Sequence, residues 1–244
     1  MASRGKLISL VALAVCASGL AAATSAQATY HENLIREVHE GNGVTGDYVE
    51  LQSYAAGQNL VAGKHIVSYD GGGGVLTNYI IPSNVPNAAN QATILIAQDA
   101  STPGADFIAG TDFNVVNTGG TVCFTDGVIA VKLDCLAFKG TMNPLTVPPG
   151  AFGAPFLLPG PDLDNQTLVR TIARGCPTLL DPADDTNSAA DFSLGTGHPR
   201  SNSATPTETP CPATPAKKKK CKKHKKKKSG AYSAKKKCKK KKKH

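Results

Sequence analysis

The sequence predicts an all-β domain of sandwich or barrel type, followed by a disordered basic tail. Short runs of β-branched or alternating residues recur between clusters of Gly, Asn, Pro and Asp, while helix signals are weak. The tail follows from composition: residues 217–244 hold 18 lysines and no acid, so the segment cannot bury the apolar surface that folding requires.

The first predicted strand covers 34–38 (Leu-Ile-Arg-Glu-Val), ended by His39-Glu40-Gly41-Asn42-Gly43. Residues 47–51 (Asp-Tyr-Val-Glu-Leu) alternate at period two, as a half-buried strand does, and 64–69 repeat the pattern. Asp70 and four glycines then mark a flexible hairpin tip; without a Gly-Lys-Ser/Thr ending they are not a phosphate loop. Further runs lie at 75–81 and 93–97, with Pro82 and Pro86 between them. Within 90–98 both helix and strand are open, and the second half favours strand. Residues 122–124 and 128–132 flank Asp126-Gly127, a dipeptide suited to a tight hairpin, and 133–138 continue the apolar pattern. Pro and Gly accumulate over 143–161, read as a long loop, and 187–192 add a last short element. With 5% aromatic residues and no Trp, the core must be mainly Val, Ile, Leu and Ala. Residues 29–199 suffice for one substantial core.

The first 28 residues read as a removable signal peptide. Arg4 and Lys6 form a positive start, 7–20 are an apolar run, and Ala26-Gln27-Ala28 is an A-x-A cleavage site. The run falls short of the roughly 20 apolar residues of a membrane span, and no later segment approaches that length. Cys16 admits a lipoprotein reading, but Val15 stands before it where a small residue is expected. Six cysteines then remain in the exported chain: Cys123, Cys135, Cys176, Cys211, Cys221 and Cys238. An even number in an oxidising compartment points to disulfides, with 15 possible pairings. Spacing favours Cys123 with Cys135, Cys176 with Cys211, and Cys221 with Cys238.

Charge is divided along the chain. Residues 29–216 carry 18 Asp and Glu against seven Lys and Arg, a net of −11, so the overall +9 averages two opposed bodies. Residues 201–216, rich in Ser, Thr and Pro, read as a linker. Beyond it stand Lys217, Lys218, Lys219, Lys220, Lys222, Lys223, Lys225, Lys226, Lys227, Lys228, Lys235, Lys236, Lys237, Lys239, Lys240, Lys241, Lys242 and Lys243, in two related blocks around Cys221 and Cys238. Each lysine near an anionic surface contributes on the order of 1 kcal/mol within a Debye length of about 10 Å. The expected partners are anionic envelope polymers or other polyanions, extracellular DNA included. Self-association between acidic domain and basic tail is a further expectation.

Ile35-Arg36-Glu37-Val38 followed by Asp47-Tyr48-Val49-Glu50-Leu51 resembles the opening of lamin tail domains found in bacterial secreted proteins. Leu60 with Gly63 resembles the L-x-G step of that family. Thr121-Val122 and the run Leu133-Asp134-Cys135-Leu136-Ala137-Phe138-Lys139-Gly140 resemble its later paired strands. Asp185 to Phe192 resembles its closing segment, with His198-Pro199-Arg200 as the exit. The tryptophan usual after the L-x-G step is replaced by Lys64-His65-Ile66. The resemblance covers roughly 32–200 and implies an immunoglobulin-like β-sandwich used as an interaction module, without catalytic residues or cofactor.

Residues with catalytic or metal-binding chemistry are sparse. The domain has His31, His39, His65 and His198 but no G-x-S-x-G elbow. Glu37 and Glu50 lie on adjacent predicted strands, where a solvated strand face or acids accepting loop hydrogen bonds is expected over a catalytic pair. Asp181, Asp184 and Asp185 near Asn187 read as a solvated acidic loop, calcium being the alternative without EF-hand spacing. Cys221-x2-His224 and Cys238-x5-His244 superficially suggest zinc, but the surrounding lysines would repel the ion. The sequence therefore points to a non-enzymatic exported module held on anionic polymers. An accessory extracellular nucleic-acid-binding protein is the rival reading, and a hydrolase using Glu37 or Glu50 a third.

Overall fold

A computed structural model describes residues 32–208 apart from 43, 128–130, 142–144, 147–152, 164 and 173–178. Within it two mixed sheets pack face to face as an all-β sandwich. The first sheet has the order β11-β10-β1-β2-β5-β6 and the second β4-β3-β7-β8-β9. The long strands are β1 (Asn33–His39), β2 (Tyr48–Ser53), β3 (His65–Asp70), β4 (Val75–Ile80), β5 (Thr93–Ala97), β7 (Gly119–Thr125) and β8 (Lys132–Lys139). All neighbouring pairs among them are antiparallel.

Period-two alternation decides which side chains form the core. Val49 and Leu51 of β2, Ile94 and Ile96 of β5, and Ile35 and Val38 of β1 face inward from the first sheet. They meet Ile66 of β3, Val122 and Phe124 of β7, and Leu136 and Phe138 of β8. Each fully buried Leu, Ile or Phe contributes about 1.5–3 kcal/mol, so this aliphatic layer is the main stabilising element.

The second sheet is stapled on its outer side. Cys123 and Cys135 are direct cross-strand partners, their Cα atoms 4.1 Å apart, and they form a disulfide beside Val67 and Tyr69. This is the first of the three pairings favoured by spacing. Cys176, Cys211, Cys221 and Cys238, the 18 tail lysines, residues 1–28 and the tail histidines all lie outside the described residues.

Several expectations need correction. The β7–β8 connection is not a tight turn at Asp126-Gly127: β8 starts at Lys132, and Asp126 N donates to Val131 O at 2.8 Å. Asp126 is instead ion-paired with Lys64, the residue just before β3. The glycine-rich stretch is, as expected, the hairpin tip joining β3 to β4, and Asp70 closes it, its Oδ1 accepting from Gly72 N at 2.9 Å and Gly74 N at 2.7 Å. The long loop at 143–161 contains a two-residue strand, β9 (Phe156–Leu157), which is parallel to β8.

Three further elements complete the first sheet. β6 (Phe107–Ile108) pairs in parallel with β5. β10 (Thr167–Arg170) was not anticipated, because a charged Arg170 occupies a core-facing position and breaks the apolar alternation. The last element is a single turn, α1 (Ser188–Asp191), running into β11 (Phe192–Gly195).

Arg170 also accounts for the acidic cluster downstream. Its side chain is 1% exposed. Nη2 reaches Asp134 Oδ2 of β8 at 2.6 Å, Nε donates to Ile35 O at 2.7 Å and Nη1 to Asp184 O at 2.8 Å. Phe192 stacks its ring 4.6 Å from the guanidinium. Asp185 and Asp191 lie at 3.6 and 3.8 Å from Nη1. Burial raises the Asp185 carboxyl to about 6, with the neighbouring Asp134 charge adding to it and Arg170 opposing. Asp181 and Asp184 close a reciprocal capping box on a 3-10 turn (Pro182–Asp184). The expected solvated acidic loop is thus only partly solvated: Asp184 is 2% exposed and caps the turn, Asp185 is half-buried beside Arg170, and Asp181 stays partly open.

Candidate functional site

The outer face of the first sheet carries the polar half of the same alternation. Tyr48, Glu50 and Gln52 of β2 point outward, opposite Val49 and Leu51. A β-bulge in β1 between Ile35 and Glu37 inserts Arg36 into the register, so that Glu37 pairs directly with Glu50. The two glutamates on adjacent predicted strands are direct cross-strand partners.

They are not solvated, which corrects one of the two expectations held for them. Glu37 is 4% and Glu50 0% exposed, because residues 196–208 run back across the sheet as a strap. The loop hydrogen bonds of the other expectation are what hold it. His198 N donates to Glu37 Oε2 at 3.0 Å, and Arg200 N donates to Glu50 Oε2 at 2.7 Å. Arg200 Nη2 stands 3.4 Å from Glu50 Oε1, and its Nη1 is paired with Glu208 at 2.9 Å. Gln52 Nε2 donates to Glu208 Oε1 at 2.8 Å.

Further along, Asn202 is 1% exposed and fastens the strap to β5. Its Nδ2 donates to Thr93 O at 2.9 Å, its Oδ1 accepts from Asn87 N at 2.7 Å, and its backbone N donates to Asp106 Oδ2 at 2.7 Å. Residues 201–208, read from composition as the opening of a linker, therefore pack on the domain. Composition missed this because the strap docks through hydrogen bonds rather than apolar side chains.

Burying two acids side by side has an electrostatic consequence. Desolvation raises the Glu50 carboxyl to about 8, the facing Glu37 charge raising it further and Arg200 opposing. Glu50 thus holds its proton at neutral pH. Burial pushes the Tyr48 hydroxyl up as well, with the Glu37 charge as the second cause. Tyr48 donates to Glu37 Oε2 at 3.0 Å. A carboxyl with no exposed surface and both oxygens on Arg200 is arranged to clasp the strap, not to reach a substrate.

Tyr48 also links the clasp to a cleft at the end of the sheet. Its ring stacks on His39 at 4.9 Å between centroids. His39 Nδ1 lies 3.0 Å from Thr167 Oγ1, and burial lowers its pKa. The cleft has a volume of about 390 Å³. Its walls come from Thr45, from 101–103, from 165–167, from Gly195 at the end of β11, and from Thr196, Gly197 and Pro199 of the strap. Gly197 is required here, since a Cβ would sit 1.9 Å from Tyr48 Oη. Tyr48, Arg200 and the strap were not singled out from sequence. The period-two alternation over 47–51 was legible, but the cover of its polar face, 150 residues away, was not.

Among the described residues no group of three or more His, Cys, Asp or Glu side chains is placed to hold a metal ion. Nor is any helix among them long and apolar enough to cross a membrane. No family model matches the chain, and no curated protein or solved structure matches it.

Proposed function

We propose that this chain is a non-enzymatic exported module, a lamin-tail-like, immunoglobulin-like domain that makes protein or envelope contacts while its lysine tail holds it on anionic cell-surface polymers. The observation that carries the reading is the separation of charge. All 18 lysines of 217–244 stand without an acid, after a segment of net −11. The arrangement of the domain's own cations supports it. Lys64 is paired with Asp126, Arg170 with Asp134, and Arg200 with Glu50 and Glu208. Lys132 lies over the Tyr69 ring, so several of the domain's own cations are engaged within its structure, whereas the tail carries 18 lysines and no acid.

Deleting 217–244 should release the protein from cells or envelope fractions at low salt. Retention unchanged by the deletion overturns the reading. The lysine density equally fits an accessory protein on extracellular DNA. Binding to DNA and to purified wall polymer across one salt series decides between them, the physiological partner being the one still held at the higher salt.

A further inference from the structure

We infer that β4 is the edge through which two copies of this domain pair, strand to strand, as an antiparallel dimer. Among the described residues the two sheets present four edge strands, β4, β6, β9 and β11. β6 and β9 are two residues long and β11 four, which leaves little backbone for another chain to pair with. β4 runs for six residues, Val75–Ile80, without a charge or a proline. Charged side chains and proline are the usual means of blunting an edge, and this long one uses neither.

The open side of β4 is shaped to receive a strand. Ile81 N donates to Lys64 O at 2.8 Å, so Ile81 faces β3. By the alternation of an antiparallel ladder, Tyr79 and Thr77 bond toward β3 as well, while Asn78 and Ile80 turn N–H and C=O to the open edge. Both of these residues are exposed. The register shift opposite Ser68 and Tyr69 lies toward the other end of β4 and leaves 77–80 regular. Val75 and Leu76 add exposed apolar side chains at that other end.

Charge selects a second copy as the occupant. No Asp, Glu, Lys or Arg occurs between Asp70 and Asp99. Over the rest of a segment of net −11, two copies meet like charge; along β4 they do not. The lysine tail lacks any β-branched run and would gain no carboxylate from β4 itself. Asp112, whose carbonyl accepts from Thr77 Oγ1 at 3.0 Å, is an acid beside the strand, and salt would screen it between two copies. Pairing about a twofold is self-complementary. Centred on Tyr79, it sets Asn78 opposite Ile80 of the second copy, so the edge-facing N–H and C=O groups satisfy one another reciprocally. The two Tyr79 rings, each edge-on to its own Phe113, then meet at the axis as a cross-strand aromatic pair. Pairing uses the long edge of each copy, so assembly closes at two. A dimer carries two lysine tails, which would make polyanion binding bivalent. The inference does not rest on the tail, and the two readings fail separately.

The test is sedimentation equilibrium of the full exported chain across a concentration and salt series. A monomer–dimer equilibrium with a Kd of about 1–100 μM is expected, as for a small interface. Salt should tighten it by screening the acidic domains, whereas association between domain and tail would dissolve in salt. Ile80→Glu, at an exposed edge position, should weaken it at least about tenfold. Val44→Glu makes the same kind of change at an exposed position between β1 and β2 and should leave it unaltered. Deleting 217–244 should also leave it unaltered. Hydrogen exchange at the Asn78 and Ile80 amides should slow as protein concentration rises. A monomer up to ~500 μM, exchange at these amides independent of concentration, a dimer that survives Ile80→Glu or is lost equally on Val44→Glu, or one that salt dissolves would each overturn the assignment.

Discussion

Replacing Glu50 with glutamine should remove most of the domain's loss of stability between pH 5 and 8. An ordinary glutamate titrates at 4.5, whereas buried Glu50 facing Glu37 titrates at about 8. Over that window the folded state holds a proton that the unfolded state has released. Stability is therefore fully present below about pH 4.5 and falls as pH rises, by at most ~1.4 kcal/mol per unit. Integrated over the window, the fall is on the order of 4–5 kcal/mol and is complete above about pH 8. The glutamine side chain would mimic the protonated form and keep an oxygen for Arg200 N, now 2.7 Å from Glu50 Oε2. Urea unfolding at pH 5, 6, 7 and 8 checks this, read as the difference between Glu50→Gln and wild type so that other buried acids cancel. The variant should be near wild type at pH 5 and more stable at pH 8 by about 3 kcal/mol or more. Parallel pH profiles for the two proteins would refute the description of Glu50 as a buried, protonated carboxyl facing Glu37.

Three other outcomes follow from the packing. Arg170→Ala leaves Asp134, which is 0% exposed, without its counter-charge, and should cost about 3–5 kcal/mol in chemical denaturation. Joint Cys123→Ala and Cys135→Ala substitution opens a loop of 12 residues and should lower stability by roughly 2–3 kcal/mol in chemical denaturation under non-reducing conditions. Gly197→Ala places a Cβ 1.9 Å from Tyr48 Oη, so the strap must shift. Hydrogen exchange should then accelerate at His198 and Arg200 while β7 and β8 keep their protection.

Much of the sandwich was legible because period-two alternation is a direct record of which face is buried. The runs at 47–51, 64–69 and 93–97 coincide with β2, β3 and β5 to within two residues at each end. What alternation could not report was what lies on the other side. Tyr48, Glu50 and Gln52 look like a solvated face by sequence, and they are covered by a strap whose contacts are hydrogen bonds and ion pairs. The same limit hid β10, since Arg170 in an inward position reads as a break until Asp134 is found opposite it across the sandwich. The burial within the acidic run at 181–185 was missed for the complementary reason: Asp185 finds its counter-charge on Arg170 of β10, and Asp184 is engaged in a capping box. Long-range charge pairing leaves no periodic trace, whereas apolar packing does.

The separation of charge between domain and tail is tested most directly by the salt dependence of binding to purified anionic wall polymer, full chain against the chain lacking 217–244. Releasing counterions at many lysines predicts a steep fall in log affinity with log salt for the full chain. The truncated chain, retaining the domain's acidic excess, should show little or no binding at any salt. Equal affinity and equal salt slope for the two chains would contradict the account.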